Sequence, residues 1–311
     1  MSMKKVSIGS WAYVLGPYKN NPVDFHTVLH KLQDMGFDGI ELGGFPPHPN
    51  PDQYDTPKKR QALRKEVQDH GLEFSGLAAN LWMHKVISVP DSGPYIAEFA
   101  RNVLFAEDLG IDLIRVDTLE PPDVFQKTGI DPRLGRERIV RAWDRCAKIA
   151  ADRGMRVAWE FEPGFAFNKP SEIVSIVDEV RSLGNPNFGV LFDTSHAYMV
   201  SVIGARQPGE KETLRGGVLE LLEKLRGKIT HLHLIDSDGT CHKDEQGNDE
   251  TSTHAPFGKG LINWDAVIPA LLNVQIPSDW WCIDLCFWPD AWTVTADCKR
   301  FIDTMRKKYA A

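Results

Sequence analysis

Short apolar runs alternate with longer amphipathic segments eight times along the chain. The short runs are rich in β-branched and aliphatic residues, which favours strands, and the longer ones have the period of helices that bury one face. Strands are predicted over residues 6–13, 39–42, 72–78, 113–117, 157–161, 188–193, 229–235 and 281–287. Helices are predicted over residues 23–35, 57–69, 95–109, 135–153, 170–183, 211–225, 264–272 and 293–308. Because a helix follows each strand, we expect parallel strands with helical crossovers.

This alternation fits a closed (β/α)8 barrel or an open doubly wound sheet. The count of eight favours the barrel, because an eight-stranded barrel fills its own interior with side chains. The nucleotide-binding versions of the open sheet are disfavoured, because neither of their signatures, GxGxxG after the first strand and GxxxxGK[ST], is present. No break in composition marks a linker, so residues 1–311 are predicted to form a single TIM barrel domain. Residues 236–260 are interpreted as a loop over an active site.

Composition and charge narrow the class of protein. The 36 Lys and Arg residues against 43 Asp and Glu residues give a net charge of −7, with no long basic run. This argues against a nucleic-acid or membrane-surface partner. No apolar stretch approaches the roughly 20 residues of a membrane span, and the first residues lack the apolar core of a signal peptide. The five cysteines have no CxxC spacing and are interpreted as reduced thiols. We therefore expect a cytoplasmic enzyme.

Ionisable side chains stand at the ends of the last four predicted strands: Glu160, Asp193, His233 and Asp284. In a barrel these ends form the face that carries chemistry, and a charge buried there without a partner is costly. Four such residues on successive strands indicate one shared partner, a divalent metal ion. Carboxylates with one imidazole suit Mn²⁺, our first expectation, and also Mg²⁺, Co²⁺ or Zn²⁺.

Three of these residues also have a structural alternative. Asp193 could cap a helix, His233 could be a packed core histidine, and Asp284 could cap the loop that follows. Side chains two residues apart on a strand share a face, so Glu162 stays open as the ligand in place of Glu160. For the same reason His231 and His233 are expected to point the same way.

Five segments carry short motifs in a fixed order along most of the chain. They are IGSWAY at 8–13, GFDGIEL at 36–42, GVLFDTSH at 189–196, HLHLID at 231–236 and FGKGLINW at 257–264. Together they resemble the xylose isomerase-like (sugar phosphate isomerase/epimerase) superfamily. The resemblance implies that Glu160, Asp193 and His233 bind a metal and that His196 binds substrate. It also implies an oligomer.

The fourth metal position departs from that family's pattern. Asp284 stands where the family usually has Glu. In the epimerase members, the metal-bound glutamates of strands five and eight also act as acid and base on opposite faces of the substrate. Because Asp is one methylene shorter, Asp284 can bind the metal without reaching the reacting carbon, which puts a two-base epimerisation in doubt.

The expected reaction removes a proton from the carbon beside the carbonyl of a keto-sugar or polyol, through a metal-stabilised enediolate. Glu160 is the family-type base. The alternates are His196, His231, Glu162 and His254. Reprotonation at a neighbouring position would give isomerisation or epimerisation, our main expectation. Loss of a β-leaving group would make the protein a lyase.

Several residues at strand ends are candidates for substrate contacts: Trp11, Arg115, His196, His254 and Trp288. Arg115 could instead pair with Asp117. The strand-eight region holds four tryptophans within 280–292, which could pack the barrel or form an aromatic wall for a sugar or an attached ring. No Lys/Arg cluster suggests a phosphate clamp, so a non-phosphorylated substrate is expected.

Other functions stay open. Asp284 and the aromatic strand eight resemble the α-subunit of bacterial C-glycoside deglycosidases, which act on 3-keto-glycosides together with a small β-subunit. Inosose dehydratases are also near relatives by this resemblance. The zinc endonuclease branch of the fold is disfavoured, because Ser252 stands where a ligand Asp would be needed. A non-catalytic binding barrel is the remaining alternative.

Overall fold

A computed structural model describes residues 4–309 and has the (β/α)8 TIM barrel that the sequence predicts. The barrel strands are β1 (Lys5–Ile8), β2 (Gly39–Gly43), β3 (Glu73–Ala78), β4 (Leu113–Val116), β5 (Arg156–Glu160), β6 (Phe188–Asp193), β7 (Ile229–Leu234) and β10 (Trp280–Ile283). They pair in parallel in the order β1-β10-β7-β6-β5-β4-β3-β2. A bridge from Gly9 to Glu41 joins β1 to β2 and brings the two ends of the sheet together.

Helices connect the barrel strands. They are α1 (Phe25–Asp34), α2 (Pro57–Asp69), α3 (Gly93–Leu109), α4 (Val124–Thr128), α5 (Pro132–Ala151), α6 (Pro170–Ser182), α7 (Thr194–Tyr198), α8 (Gly217–Lys224), α9 (Trp264–Asn273) and α10 (Ala291–Tyr309). Polar caps set several starts: the side chains of Asp24, Thr56 and Asp131 accept backbone N–H groups of the first turns of α1, α2 and α5. Within residues 4–309, no helix combines the length and apolarity that crossing a bilayer requires.

Side-chain alternation along the strands directs one set of residues outward, toward the helices, and the alternate set into the barrel interior. On β5, Trp159 points outward and packs against Trp143 of α5, with 5.0 Å between ring centroids. The alternate residues Ala158 and Glu160 therefore point inward. Leu113, Ala158 and Leu191 form a small buried cluster of their own, and the ionisable residues lie farther along the same strands. The barrel thus brings its charged residues together at the carboxyl ends of the strands.

Some elements differ from the sequence prediction. The first strand ends at Ile8, and residues Ser10–Tyr13 form a 3₁₀ turn. The eighth barrel strand, β10, ends at Ile283. The chain turns there because the Asp284 side chain accepts the Cys286 backbone N–H at 2.8 Å. Residues 236–260, predicted as a loop, contain an antiparallel hairpin of β8 (Cys241–Lys243) and β9 (Asp249–Ser252).

The HLHLID and FGKGLINW segments are joined by one buried carboxylate. Asp236 accepts backbone N–H groups from Ser237, Gly258 and Ile262 at 2.9–3.1 Å, and the Trp264 indole N–H at 3.1 Å. A Cβ at Gly260 would lie 2.3 Å from Asp236 Oδ1, so only glycine fits this close approach. These motif positions therefore anchor the start of α9 to the end of β7.

We expect Asp236→Ala to lower the free energy of unfolding by about 3 kcal/mol or more, because it leaves several buried donors unpaired. Denaturant unfolding monitored by circular dichroism would measure this change. Asp238→Ala is the matched control, since Asp238 is exposed and its side-chain hydrogen bonds within residues 4–309 are to Thr240 in its own turn. Equal stabilities of the two variants would contradict the anchoring role.

Candidate active site

Four side chains from the last four barrel strands converge at the carboxyl end of the barrel. Glu160, Asp193 and His233 lie on β5, β6 and β7, and Asp284 follows β10 directly. One ligand atom from each lies within 4.8 Å of the others, and all four side chains are buried. The residues that the sequence nominated for one metal ion are therefore together in space. We call them the quartet.

The imidazole of His233 is oriented by carboxylates on both sides. Its Nδ1 faces the quartet, 3.0 Å from Glu160 Oε1 and 3.3 Å from Asp284 Oδ2. Its Nε2 lies 3.1 Å from Glu41 Oε1, and the Trp11 ring packs 5.4 Å away. A carboxylate on the far nitrogen fixes the ring and its tautomer, as it does for many metal-binding histidines. Nδ1 is thus the nitrogen available for a ligand.

Glu41 is a functional candidate to which sequence reasoning gave no role. Its other oxygen, Oε2, lies 2.7 Å from His231 Nε2, and His231 Nδ1 lies 3.1 Å from Ser278 Oγ. Burial alone would raise the pKa of Glu41, but the two imidazoles hold it well below its usual range. The signal was in the sequence: a Glu inside an apolar strand needs a buried partner.

The quartet has more negative charge than its protein neighbours balance. Burial and the carboxylates of Asp284 and Glu160 raise the pKa of Asp193 well above its usual range. Asp193 Oδ1 accepts the His196 backbone N–H at 2.8 Å, whereas Oδ2 has no hydrogen-bond partner within residues 4–309. Three carboxylates and one imidazole with a buried free oxygen fit a divalent cation.

Arg115 is held between two carboxylates. Its Nε pairs with Glu160 Oε2, and its Nη2 lies 3.2 Å from Asp117 Oδ2. Burial would raise the pKa of Glu160, but Arg115 and His233 lower it to about 2. Both sequence interpretations of Arg115 therefore have support, since it pairs with Asp117 and also lines the cavity beside the quartet.

A cavity of about 1180 Å³ opens above the quartet. His196 and Glu162 lie on its wall, with 3.5 Å between His196 Nε2 and Glu162 Oε2. The other ring nitrogen, Nδ1, lies 2.8 Å from Ser252 Oγ of the hairpin. Burial raises the pKa of Glu162 to about 8 and lowers that of His196 to about 3. Of the two glutamates, Glu160 is the one whose carboxylate lies within 4.8 Å of the other three candidate ligands.

Two other nominated residues also reach the cavity. Trp11 lines it and donates its indole N–H to Asp284 Oδ1 at 2.9 Å. His254 is buried, with neither ring nitrogen hydrogen-bonded within residues 4–309. Its nitrogens lie 3.6 Å from Asp284 Oδ1 and 3.8 Å from Asp193 Oδ1.

The structure places two nominated residues away from the cavity. Trp288, predicted to contact substrate, packs against the apolar core, and its neighbour Phe287 lines the cavity instead. The reason is the early end of β10, after which the chain turns at Asp284. His231, nominated as a possible base, is fully buried beneath the quartet and pairs with Glu41. The aromatic side chains that line the cavity are those of Trp11, Phe45, Trp82, Phe165, His196, His242, His254 and Phe287.

Comparison with known proteins places this geometry in a family. The family model described as "Xylose isomerase-like TIM barrel" matches residues 29–297. The chain belongs to this family. Over 219 residues it is 24% identical to the inosose dehydratase of Yersinia enterocolitica, a match that covers 68% of this chain and 63% of that relative. The match thus spans less than two thirds of the length of that relative.

Solved structures of the family share the fold. The chain is similar to the IOLI protein with a bound zinc atom, with a TM-score of 0.70, 18% identity, and coverage of 98% of this chain and 99% of that one. It is also similar to a D-tagatose 3-epimerase-like protein, with a TM-score of 0.68, 18% identity and the same coverage. These structures show the shared fold, and the sequence relatives named as inosose dehydratases support an enzyme of this fold.

If the quartet binds a divalent ion, we expect Glu41→Gln to weaken that binding about 10- to 100-fold, with Mn²⁺ as the probe, because the carboxylate that orients His233 and His231 is then replaced by an amide. Titration of the chelator-treated protein with Mn²⁺ would measure the dissociation constant. Glu73→Gln is the control, since Glu73 is exposed and pairs with Lys5. Unchanged affinity in Glu41→Gln would show that Glu41 does not position His233.

Proposed function

We propose that this protein is a metal-dependent enzyme of the sugar isomerase/epimerase type. It would remove a proton from the carbon next to the carbonyl of a keto-sugar or polyol. The observation that carries the proposal is the quartet, in which Glu160, Asp193, His233 and Asp284 surround one point at the base of a cavity. A divalent ion held by these residues would stabilise the negative charge that develops on the carbonyl oxygen.

The chain's own residues supply the remaining functions. Glu160 is the family-type base, and His196 is the residue proposed to contact substrate beside it, with 4.0 Å between His196 Nε2 and Glu160 Oε1. Trp11 covers His233 and fixes Asp284, which supports a role for its ring as one wall of the substrate site. Arg115 and His254 border the same space and are proposed to bind substrate hydroxyl or carbonyl oxygens.

A non-phosphorylated substrate is supported by the charge of the cavity wall. Arg115 is engaged by Glu160 and Asp117. The lysines that line the cavity each lie within 4 Å of a carboxylate: Lys19 with Glu245, Lys127 with Asp123, and Lys243 with Asp249. A phosphate group would have to compete with these carboxylates for Arg115 and for the three lysines. Arg206, which also lines the cavity, instead donates to the Glu250 backbone carbonyl at 3.1 Å.

A lyase is the second candidate function. It is favoured by the names of the sequence relatives, which are inosose dehydratases, and by the shorter Asp284 at the fourth metal position. The C-glycoside deglycosidase α-subunit is the other lyase that the sequence resembles. Mn²⁺ remains the proposed metal, with Zn²⁺ as the alternative that the IOLI structure supports. An oligomer, a small partner subunit and a cytoplasmic location stay predictions.

Metal analysis tests the proposal directly. We expect about one divalent ion per chain in the wild type, and loss of this ion in Asp193→Ala and Asp284→Ala, because each variant removes a carboxylate from the quartet. Elemental analysis after identical purification would measure the content. Chelation should abolish turnover of a panel of keto-sugars and inososes, and Mn²⁺ should restore it.

The controls separate the alternatives. Asp249→Ala, on the exposed hairpin, should keep its metal content. A metal-free wild type that takes up no ion would favour a binding protein. If Asp284→Ala retains its metal, Asp284, and with it the end of β10, does not belong to the metal site.

A further inference from the structure

One part of the cavity wall is apolar and separate from the main hydrophobic core. Trp11, Val14, Phe45 and Ala78 form a small buried cluster, against which two partly buried side chains pack. All of these residues except Val14 also line the cavity, and the ring of Trp82 extends the same surface. We call the residues of this surface the apolar wall: Trp11, Leu15, Phe45, Ala78, Trp82 and Cys286.

Trp82 leaves much of its surface uncovered. It follows β3, and its ring packs against that of Phe45 with 4.8 Å between ring centroids. Phe45 is buried, whereas Trp82 is 46% exposed and is the most exposed Phe, Trp or Tyr side chain within residues 4–309. An aromatic ring with an open face beside a cavity is suited to stack with a ring of a ligand.

The apolar wall is continuous with the proposed metal site. The Trp11 ring packs 5.4 Å from that of His233 and belongs to the same cluster as Phe45. Phe45 in turn packs against Trp82. A sugar ring bound at the quartet beside Trp11 would therefore have Phe45 and Trp82 farther along the same wall.

The cavity has room for more than one ring. Its volume of about 1180 Å³ is above the roughly 300–1,000 Å³ of sites that enclose drug-sized ligands. A single sugar ring is smaller than such ligands. A sugar bound at the quartet would therefore leave space beside Phe45 and Trp82.

The chemistry of the apolar wall favours an aromatic second ring over a second sugar. Leu15, Phe45 and Ala78 have side chains without a hydrogen-bonding group. The Trp11 indole N–H is already donated within the quartet. Sugar hydroxyls that leave water without finding partners are costly, whereas a flat apolar ring gains from contact with Phe45 and Trp82.

A second aromatic pair in the cavity is less suited to this role. His242 of the hairpin and Phe287 stack with 4.4 Å between ring centroids and 14° between ring planes. Each of these rings thus covers a face of the other. A Phe287 variant still belongs in the test, because this pair lines the same cavity.

We propose that the substrate carries an aromatic ring in addition to the sugar ring that reacts, and that Phe45 and Trp82 bind this second ring. The inference rests on the proposed function and names its substrate class, a keto-sugar with an aromatic substituent. The four tryptophans within 280–292, which the sequence suggested as an aromatic wall, do not line the cavity. The loops after β2 and β3 supply that wall instead.

The experiment measures binding by isothermal titration calorimetry, with the phenyl and methyl β-D-glucosides and β-D-galactosides as probes. We expect the protein supplied with Mn²⁺ to bind at least one phenyl glycoside about 10-fold more tightly than its methyl counterpart, as an aromatic contact and its buried area supply. Trp82→Ala should lose most of this preference, and Trp82→Phe should keep part of it. Met83→Ala is the matched control and should bind as the wild type does, since Met83 is 86% exposed and does not line the cavity.

Three results would overturn the inference. The first is a wild type without a phenyl preference in either series, or a preference that Trp82→Ala retains in full. The second is loss of the preference in Phe287→Ala but not in Trp82→Ala, which would assign the ring to the pair of His242 and Phe287. The third is binding of cellobiose as tight as that of phenyl glucoside and equally weakened by Trp82→Ala, which would make the second ring a sugar.

Turnover separates this inference from the proposed function. The panel of keto-sugars and inososes is extended with phenyl glycosides oxidised to a ketone at one ring carbon. If the metal-loaded wild type turns over none of them, the proposed function fails even where Trp82 confers a phenyl preference. If it turns over members of the panel and shows no phenyl preference in binding, the inference fails and the proposed function stands.

Discussion

Burial of charge at one end of the barrel is the constraint on which the site depends. Glu41, Glu160, Asp193 and Asp284 are carboxylates in places with almost no access to water, where an unpaired charge is costly. A continuous chain of polar contacts compensates for this cost. It runs from Ser278 to His231, from His231 to Glu41, from Glu41 to His233, and from His233 to Glu160. Each imidazole in this chain of contacts is fixed at both nitrogens.

The closed sheet is what makes this chain of contacts possible. His231 and His233 share a face of β7. Glu41 contacts both from β2, which is the last strand in the order of the sheet, five places from β7. An open sheet would leave these strands far apart, and the same residues would then be exposed to solvent or buried without a partner. The apolar residues that alternate with them, such as Trp159, pack against helices such as α5 and keep the strands in register.

Asp284, which stands where the family usually has Glu, is held by contacts of its own. The shorter side chain is tied to Trp11 and to the turn that ends β10, so it is a fixed group within the quartet. In the hairpin, Thr251 donates to Glu162 and the Ser252 hydroxyl contacts His196 Nδ1. Other hairpin residues, such as His242 and Lys243, line the cavity, so the hairpin forms part of the cavity wall and also orients Glu162 and His196.

The sequence by itself determined the architecture and the quartet. Periodicity predicts eight strand–helix units. The ionisable residues at the ends of the last four strands are enough to predict convergence, because parallel strands of a barrel end at one face. The sequence could not determine the partners. Glu41 lies almost 200 residues from His233 in the chain, and the hairpin bonds to Glu162 and His196 depend on how residues 236–260 fold back. Trp288 turned toward the core because β10 ends at Ile283. Such contacts depend on side-chain directions after the chain turns, which only the tertiary structure decides.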